Sequence, residues 1–245
     1  MDRPVALIVA LAAERRALRR SLASPHERRL GRLRLVAGIL ANQGVVLIQG
    51  GIGATRARDA LLTVAREIPF RAAWSLGFAG SLADDLAPGD LVCPAVVLLD
   101  DGRQGQALTA ASSHAAIRAA LPGASGGPLL SVEAPLRTEH AKRAARERTG
   151  AVAVDMEAAG VAVAAEILGI PWLAIKAVVD DVWQPLPEFL AGCSTPLGDL
   201  RWRGLLWGLL FAERRRAFRR LRRAAGHAAL SLKRSLDVAL RAESP

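Results

Sequence analysis

The sequence predicts an α/β protein whose single sheet is mixed, mostly parallel and flanked by helices. Short apolar segments typical of buried strands alternate with helical segments as far as residue 180. The clearest strand, residues 172–179, is a continuous apolar run that ends at Asp180 and Asp181. Because ligands bind at the carboxyl ends of strands in such folds, these two acids mark the edge of the sheet at which we expect a site.

The first part of the chain contains three of these strands. Residues 4–11 are predicted to form a buried strand, and an arginine-rich helix is predicted over residues 15–22. Glu14 lies at the junction, where an acid is favoured by the helix dipole and faces a cleft. A capping role without chemistry is the alternative interpretation of Glu14. Two further strands are predicted over residues 33–37 and 44–48.

A glycine-rich turn, residues 50–53, follows the third strand and precedes a helix predicted over residues 54–67. Glycines between a strand and a helix let the backbone approach a ligand, and the helix N-terminus can receive an anion. The dinucleotide-binding fingerprint does not fit, because Arg56 occupies the position of its third glycine. Gly53 and Arg56 are therefore candidates for binding phosphate, and tight packing of the turn is the alternative.

The middle of the chain continues the alternation. A strand over residues 72–75 is predicted to break into a loop at residues 77–81, where small residues leave a slot beside the Phe78 ring. That slot suits a flat base or a sugar, although loop packing also explains it. Further strands are predicted over residues 91–98 and 129–132, and further helices over residues 110–121 and 138–149.

Two acidic sites lie within residues 151–181. The first, Asp155 to Glu157, is predicted to open an alanine-rich helix that stops at Gly169. The second is the pair of acids at the end of the strand over residues 172–179. For two adjacent acids alone, the start of a solvated loop is the alternative interpretation, so the case for a site depends on what else converges there.

Positive charge is concentrated at the C-terminus. The chain has 33 basic and 23 acidic residues, and 12 of the basic but only three of the acidic residues lie from Arg201 onward. Gly226 is predicted to break this basic run, and apolar residues then recur every four positions, as in an amphipathic helix (Ala228, Leu232, Leu236 and Leu240). We therefore divide the chain into a domain over residues 1–196 and a basic amphipathic helical extension over residues 197–245.

Several classes of protein are excluded by composition. Two cysteines and four scattered histidines predict neither a disulfide framework nor a metal site. No segment approaches the roughly 20 apolar residues that a membrane-spanning helix needs. The first residues resemble a short signal peptide, but the apolar run leads directly into a charged helix, so a first strand and a cytoplasmic protein are predicted.

Four motifs occur in an order and spacing that resemble the purine nucleoside phosphorylase/nucleosidase family. They are VALAAE at residues 9–14, LGFAGSL at 76–82 with PGDLV at 88–92, VDMEA at 154–158 and AVVDD at 177–181. The similarity covers about residues 4–182. It is closest to the branch that contains methylthioadenosine/adenosylhomocysteine nucleosidases, and closer still to the hopanoid-associated phosphorylase group, which removes adenine from adenosylhopane. The fold that this implies is the nucleoside phosphorylase-like sheet, and family relatives assemble, so a homo-oligomer is expected.

The resemblance implies a role for each matched residue. Asp180 takes the position of the general acid, which protonates or hydrogen-bonds purine N7 as the base leaves. Glu157 takes the position of the acid that grips the ribose hydroxyls, with Met156 against the sugar. Glu14 matches the residue that orients or deprotonates water. The remaining matched positions around the sugar and base are Phe78, Ala79, Gly80 and Leu136.

Two departures from the family pattern bear on the chemistry. Val179 stands where Ser or Thr often precedes the catalytic Asp, so one hydrogen bond that would orient Asp180 is missing. Phe78 replaces a smaller polar residue, which implies a more apolar sugar pocket. The nucleophile stays open between water, which Glu14 favours, and phosphate, for which Arg56 and Gly53 are the candidate ligands. No cofactor is expected apart from phosphate as a co-substrate.

The basic extension has three interpretations: a surface that contacts anionic membrane, a solvated helix packed on the body, and a nucleic-acid patch. We favour membrane contact through residues 201–241 at the inner membrane face, because a lipid-linked substrate requires docking, and we do not expect nucleic acid. The function predicted is removal of adenine from an adenosine-type nucleoside, with adenosylhopane as the substrate. The alternatives are a methylthioadenosine/adenosylhomocysteine nucleosidase and a non-catalytic nucleoside- or lipid-binding protein.

Overall fold

The computed structural model describes residues 3–110, 114–183 and 212–243. The strands of this part of the chain are β1 (Val5–Val9), β2 (Ala23–Leu30), β3 (Leu33–Leu40), β4 (Gln43–Gln49), β5 (Ala72–Ser81), β6 (Leu91–Val92), β7 (Val96–Leu99), β8 (Gln106–Thr109), β9 (Leu129–Ser131), β10 (Ala153–Asp155) and β11 (Trp172–Asp180). The helices are α1 (Ala12–Arg19), α2 (Ala54–Ala65), α3 (His114–Ala119), α4 (Glu139–Thr149), α5 (Ala158–Leu168) and α6 (Ala212–Glu243).

One mixed sheet contains all these strands. Its order is β2-β3-β4-β1-β5-β10-β9-β7-β8, and β11 pairs with β5 and with the short β6. The pairs β4-β1, β1-β5 and β5-β11 are parallel, whereas β10 is antiparallel to β5. The outer pairs β2-β3, β3-β4 and β7-β8 are antiparallel. The predicted fold class is confirmed.

Helices cover both faces of the sheet, and the alternation of side chains along β1 shows how. Ala6 and Ile8 pack in a core formed with α2 and α5, whereas Val5, Leu7 and Val9 pack in a second core formed with α1, α3 and α6. Strand side chains point alternately to opposite faces, so a strand buried on both faces must be apolar at every position. This explains the continuous apolar runs at the centre of the sheet.

Strand β2 is absent from the sequence prediction. Its sequence, ASPHERRL, has no apolar alternation, and its side chains are exposed or half-buried. It lies at the edge of the sheet and pairs only with β3, so backbone hydrogen bonds rather than burial hold it in place. An edge strand of this kind has almost no hydrophobic signal in the sequence.

Three other predicted boundaries are wrong. The segment predicted as a loop at residues 77–81 continues β5, because β11 and β10 pair with it there. The strand predicted over residues 91–98 is two strands, β6 and β7. Asp155 ends β10 instead of opening a helix, and α5 begins at Ala158. Residues 111–113, within the helix predicted over residues 110–121, lie outside the described residues, and α3 begins at His114.

Helix α6 is continuous through Gly226, so the predicted break at this residue is wrong. The residues that recur every four positions are all buried in the second core, against β11, β5 and α1 (Ala228, Leu232, Leu236 and Leu240). The C-terminal part of α6 is therefore a structural layer of the fold. The apolar segment at residues 202–211 and the predicted boundary at residue 196 lie outside the described residues.

Candidate active site

Glu14 lies in the first turn of α1 and is buried, with 3% of its surface exposed. Its Oε2 accepts hydrogen bonds from the backbone N–H groups of Ala10 and Leu11 at 3.0 and 2.8 Å. Its Oε1 accepts from the N–H of Phe78 at 2.9 Å. Burial raises the pKa of Glu14 above its ordinary value, although these hydrogen bonds and Lys176 oppose the rise. A fixed carboxylate with a raised pKa is suited to accept a proton near neutral pH.

Gly77 makes room for the Glu14 carboxylate. A Cβ atom at Gly77 would lie 2.7 Å from Oε1 of Glu14, and the backbone there has φ of +148°, which L residues rarely adopt. Glycine therefore meets two requirements at this position, the backbone conformation and the close approach.

Glu157 is the N-cap residue of α5, and its Oε1 accepts from the N–H of Gly53 at 2.9 Å. Gly53 is itself the N-cap of α2, so the carboxylate lies where two helices begin. Burial, and then the neighbouring Asp155, raise the pKa of Glu157 to about 7, while Lys176 and the Gly53 hydrogen bond oppose the rise. Glu157 therefore changes its charge within the physiological pH range.

Lys176 is a functional candidate that the sequence prediction missed. It is 1% exposed, and its Nζ lies 2.8 Å from Oδ2 of Asp155. Oδ2 also accepts from the N–H of Ala158, and Oδ1 accepts from the hydroxyl of Ser131. Burial alone would lower the pKa of Lys176, but Asp155, Glu157 and then Glu14 raise it above its ordinary value. The signal was present in the sequence, since Lys176 is the one charged residue within the otherwise apolar strand over residues 172–179.

Asp180 ends β11 and is buried, with 5% exposed. Its Oδ2 lies 2.5 Å from Nζ of Lys142, a fully buried lysine of α4. Gly80 of the adjacent strand β5 makes room for this pair, because a Cβ atom there would lie 3.1 Å from Oδ1 of Asp180 and 3.3 Å from Nζ of Lys142. Lys142 was also missed, although it is the one lysine of the charged, arginine-rich α4 segment.

Strand β5 brings the acids together. Gly77 lies against Glu14 and Gly80 lies against Asp180, and three residues of strand span about 10 Å. Glu157 is close enough to Glu14 and Lys176 for each to affect its pKa. The three acids that the sequence analysis selected from distant parts of the chain therefore surround one edge of the sheet.

A cavity of about 770 Å³ adjoins this cluster. It is lined by Gly53 and Met156, by aliphatic side chains, by two arginines at the start of α2 and by two acids (Ile52, Val132, Val163, Arg56, Arg58, Asp100 and Glu133). The three acids of the cluster do not themselves line the cavity. Gly53, which donates to Glu157, does line it, so the cavity lies on the Glu157 side of the cluster. Its size suits a small molecule.

The remaining predicted contacts, Phe78, Ala79, Leu136 and Met156, pack in three different apolar clusters. Phe78 is half-buried and packs with the second core, whereas the side chain of Ala79 lies in the first core, so only its backbone can face a ligand. Leu136 and Met156 are half-buried and pack on a third apolar cluster that includes Leu130.

A model of the phosphorylase superfamily matches residues 4–189, which is more than half of the chain. The chain belongs to the phosphorylase superfamily. Membership confirms the predicted enzyme class, enzymes that cleave N-glycosyl bonds. No match was found among curated proteins.

Solved structures similar to this superfamily member have the same fold. They include a 5′-methylthioadenosine/S-adenosylhomocysteine nucleosidase from Neisseria meningitidis (22% identity, 98% of this chain and 99% of that chain, TM-score 0.76) and one from Colwellia psychrerythraea in complex with adenine (19%, 99% and 96%, 0.79). A third is the futalosine hydrolase of Helicobacter pylori (16%, 96% and 99%, 0.73). The similarity extends over almost the whole chain, α6 included.

The two candidate phosphate ligands of this superfamily member, Gly53 and Arg56, have different surroundings. The N–H of Gly53 is hydrogen-bonded to Glu157, whereas Arg56 is exposed and lines the cavity. Nε of Arg15 donates to Oε1 of Gln49 on β4 at 2.9 Å, and the Arg15 guanidinium lies 4.0 Å from Glu27 on β2. Arg16 is exposed. Arg56, together with Arg58, is thus the arginine best placed to meet an anion in the cavity.

Two further properties can be reported for residues 3–110, 114–183 and 212–243. None of their helices is both long enough and apolar enough to cross a bilayer. They contain no group of three or more His, Cys, Asp or Glu side chains that could hold a metal ion.

Proposed function

We propose that this protein cleaves the N-glycosidic bond of an adenosine-type nucleoside and releases adenine. The observation that carries the proposal is the convergence of three buried acids, Glu14, Glu157 and Asp180, on one edge of the sheet. Each comes from a different part of the chain, and Gly77 and Gly80 make room for two of them. Burying several carboxylates together costs free energy, so such clusters are uncommon where folding alone is served, and perturbed acids in a cleft are typical of active sites.

In the proposed reaction Asp180 serves the leaving base. The bond between C1′ and N9 breaks, its electron pair moves into the base, and N7 takes a proton from Asp180. A positioned acid of this kind typically contributes about 10²–10⁴ in rate. Water forms the new bond to C1′ as Glu14 accepts its proton. That proton then returns to solvent, and Asp180 is reprotonated before the next cycle.

The charge of the cluster favours the sugar cation that develops during this step. Glu14, Asp155 and Glu157 face a single ammonium group, that of Lys176. An excess of negative charge in a buried site stabilises positive charge that forms in the transition state. Glu157 in its ionised form can also accept hydrogen bonds from both ribose hydroxyls.

Asp180→Asn tests the assignment of the acid. We expect adenine release to fall at least about 10²-fold, because the amide cannot protonate N7. Asp181→Asn is the matched control and should retain activity. Equal activity of the Asp180 variant and the wild type would contradict the assignment, and absence of adenine release from every adenosine derivative would favour a non-catalytic nucleoside-binding protein.

Water is the nucleophile that the site supports better. A carboxylate at Glu14 repels phosphate, and it is held by three backbone N–H groups where the water is expected. Phosphorolysis would require Arg56 and Arg58 to hold phosphate in the cavity. Measuring adenine release with and without phosphate decides between the two, because a rate that does not depend on phosphate excludes phosphorolysis.

We propose adenosylhopane as the substrate, as the resemblance to the hopanoid-associated group implies. The cavity beside Met156 supports an apolar 5′ substituent, since aliphatic side chains form much of its lining. The second candidate is the activity named for similar solved structures, methylthioadenosine/adenosylhomocysteine nucleosidase. Rates of adenine release from adenosylhopane, methylthioadenosine and adenosylhomocysteine at equal concentration distinguish them. A higher kcat/KM for methylthioadenosine would reject the lipid substrate.

Contact with the inner membrane face is part of this proposal, and the geometry of α6 supports it. His227 lies beside Gly89, whose N–H binds the carbonyl of Val178 near the carboxyl end of β11. The other end of the helix reaches Gln43, which binds the carbonyl of Leu240. A helix of 32 residues is about 48 Å long, whereas a strand of nine residues spans about 30 Å. The residues before His227 therefore extend beyond the edge of the sheet that carries the acids.

This extending part of α6 carries six exposed arginines (Arg215, Arg216, Arg219, Arg220, Arg222 and Arg223). Each basic residue near anionic lipid contributes about 1 kcal/mol. Arg219→Glu with Arg223→Glu should weaken co-sedimentation with phosphatidylglycerol vesicles by about tenfold or more. The matched control reverses two exposed arginines of the β2–β3 hairpin, Arg29 and Arg32. Equal loss in both variants, or equal binding to phosphatidylcholine vesicles, would contradict docking through α6.

A further inference from the structure

Lys142 has the surroundings of a functional residue, although it lies on a helix outside every motif of the sequence. Its side chain is fully buried, and its Nζ lies 2.5 Å from Oδ2 of Asp180. Nζ also donates to the backbone carbonyl of Asp181 at 2.8 Å and lies 3.4 Å from the carbonyl of Asp180. The ammonium group therefore contacts both the side chain and the backbone at the end of β11.

The burial of Lys142 indicates that these contacts are built into the fold. A lysine is almost never fully buried unless it is paired, because removal of its charge from water is costly. Helix α4 also carries three arginines, Arg143, Arg146 and Arg148, but only Lys142 and Ala145 are buried among its residues. The one buried charge of α4 is thus directed at the carboxylate that the proposed reaction requires.

Two neighbours of Asp180 bear on this contact. Val179, which directly precedes it, has no polar side-chain atom that could orient the carboxylate. Gly80 on the adjacent strand has no side chain, and its absence leaves the space that the carboxylate and the ammonium group share. Lys142 donates a hydrogen bond that holds Oδ2 of Asp180.

We propose that Lys142 is a positioning residue that holds Asp180 in the orientation required for transfer of a proton to the leaving base. The inference rests on the proposed function. With Oδ2 held by Lys142, Oδ1 is the oxygen that meets N7. When the O–H bond at Oδ1 breaks and the N7–H bond forms, Asp180 becomes a carboxylate, and the adjacent ammonium group stabilises it. Lys142 keeps its own protons throughout and contacts neither the ribose nor the nucleophile.

Lys142→Met tests this role with a side chain of similar length and no charge. We expect kcat for adenine release to fall about 10²-fold, as displacement of a reacting group by about 1 Å can do. KM should change less than about threefold, because the sugar contacts of Glu157 stay intact. Lys142→Arg, which keeps the charge, should restore part of kcat. Arg143→Met is the matched control on the same helix, and wild-type kcat is expected for it.

A double-variant comparison separates this role from a merely structural one. Lys142 acts through Asp180, so Lys142→Met should reduce kcat in the wild-type background and leave kcat unchanged in the Asp180→Asn background. In thermal unfolding, Lys142→Met should lower Tm less in the Asp180→Asn background than in the wild-type background, because no unpaired carboxylate is then buried.

Three results would overturn the inference. One is wild-type kcat in folded Lys142→Met, and another is an equal reduction of kcat in both backgrounds. If Lys142→Met does not fold, Lys142→Gln replaces it, since its amide keeps a donor without the charge. Wild-type kcat in Lys142→Gln is then the third result that would overturn the inference. Failure of the proposed function is distinct, because in that case the wild-type protein itself releases no adenine.

Discussion

Four ionisable side chains are buried together beside the carboxyl edge of the sheet: Glu14, Asp155, Glu157 and Lys176. Three are acids, so one ammonium group does not neutralise them when all are ionised. The protein reduces this cost by hydrogen bonds from backbone N–H groups to Glu14 and Glu157 and by the raised pKa of Glu157. At the scale of single residues, the site therefore combines three buried acids with one ammonium group and several backbone N–H donors.

Glu157 should make stability depend on pH. Its pKa rises from an ordinary 4.5 to about 7 on folding, so the folded protein binds the proton more tightly. Stability is then lost as pH rises from about 4.5 through 7 and does not change further above that range. We expect Glu157→Gln to remove a loss of roughly 3 kcal/mol between pH 4 and pH 8, measured by urea unfolding. Glu166→Gln, on the exposed side of α5, is the control, and an unchanged pH dependence in Glu157→Gln would contradict the prediction.

At the scale of elements, β5 matters because it is a continuous strand where a loop was predicted. Strand pairing holds Gly77 and Gly80 at a constant separation, so the strand sets the distance between Glu14 and Asp180. A loop would allow this distance to vary, and a catalytic constellation requires reacting groups that are held in place.

Gly77→Ala should disrupt the placement of Glu14. The added Cβ would lie 2.7 Å from Oε1, and the backbone conformation is unfavourable for alanine. We expect adenine release to fall at least about tenfold, since the carboxylate must move. Gly102→Ala is the control, because its φ of +76° is also positive but no atom lies near the new Cβ. Wild-type activity in the Gly77 variant would show that Glu14 needs no such placement.

Gly226→Ala tests the continuity of α6. Gly226 lies within the helix, and no atom lies within 4 Å of a Cβ added there. Alanine is favoured over glycine inside a helix, so we expect the free energy of unfolding to rise by about 0.5–1 kcal/mol. Circular dichroism during thermal unfolding measures the change, and a decrease in Tm would indicate that the helix is broken at Gly226.

At the scale of the whole molecule, α6 combines two properties. Its C-terminal part closes the second core, and its N-terminal part carries six exposed arginines. A single helix therefore links the stability of the fold to the surface that we propose for membrane contact.

Leu236→Ala measures the structural contribution of α6. Leu236 is completely buried in the second core, so its truncation should cost about 2–5 kcal/mol of unfolding free energy. Urea unfolding gives this value, and Leu230→Ala is the control because Leu230 is 54% exposed on the same helix. Equal effects of the two substitutions would show that the buried face of α6 does not stabilise the fold.

The sequence by itself determined the fold class, because strands buried on both faces must be apolar at every position. The choice of Glu14, Glu157 and Asp180 came from the motifs that resemble the purine nucleoside phosphorylase/nucleosidase family, since the local pattern at Glu14 and Asp180 also suits a capping residue or a solvated loop. The tertiary structure alone decided the edge strand β2, the continuity of β5 and the partner of Asp180. Each of these depends on pairing or burial between segments distant in the chain. Lys142 lies in a charged helical segment whose pattern does not mark it as buried, and only folding places its Nζ 2.5 Å from Asp180.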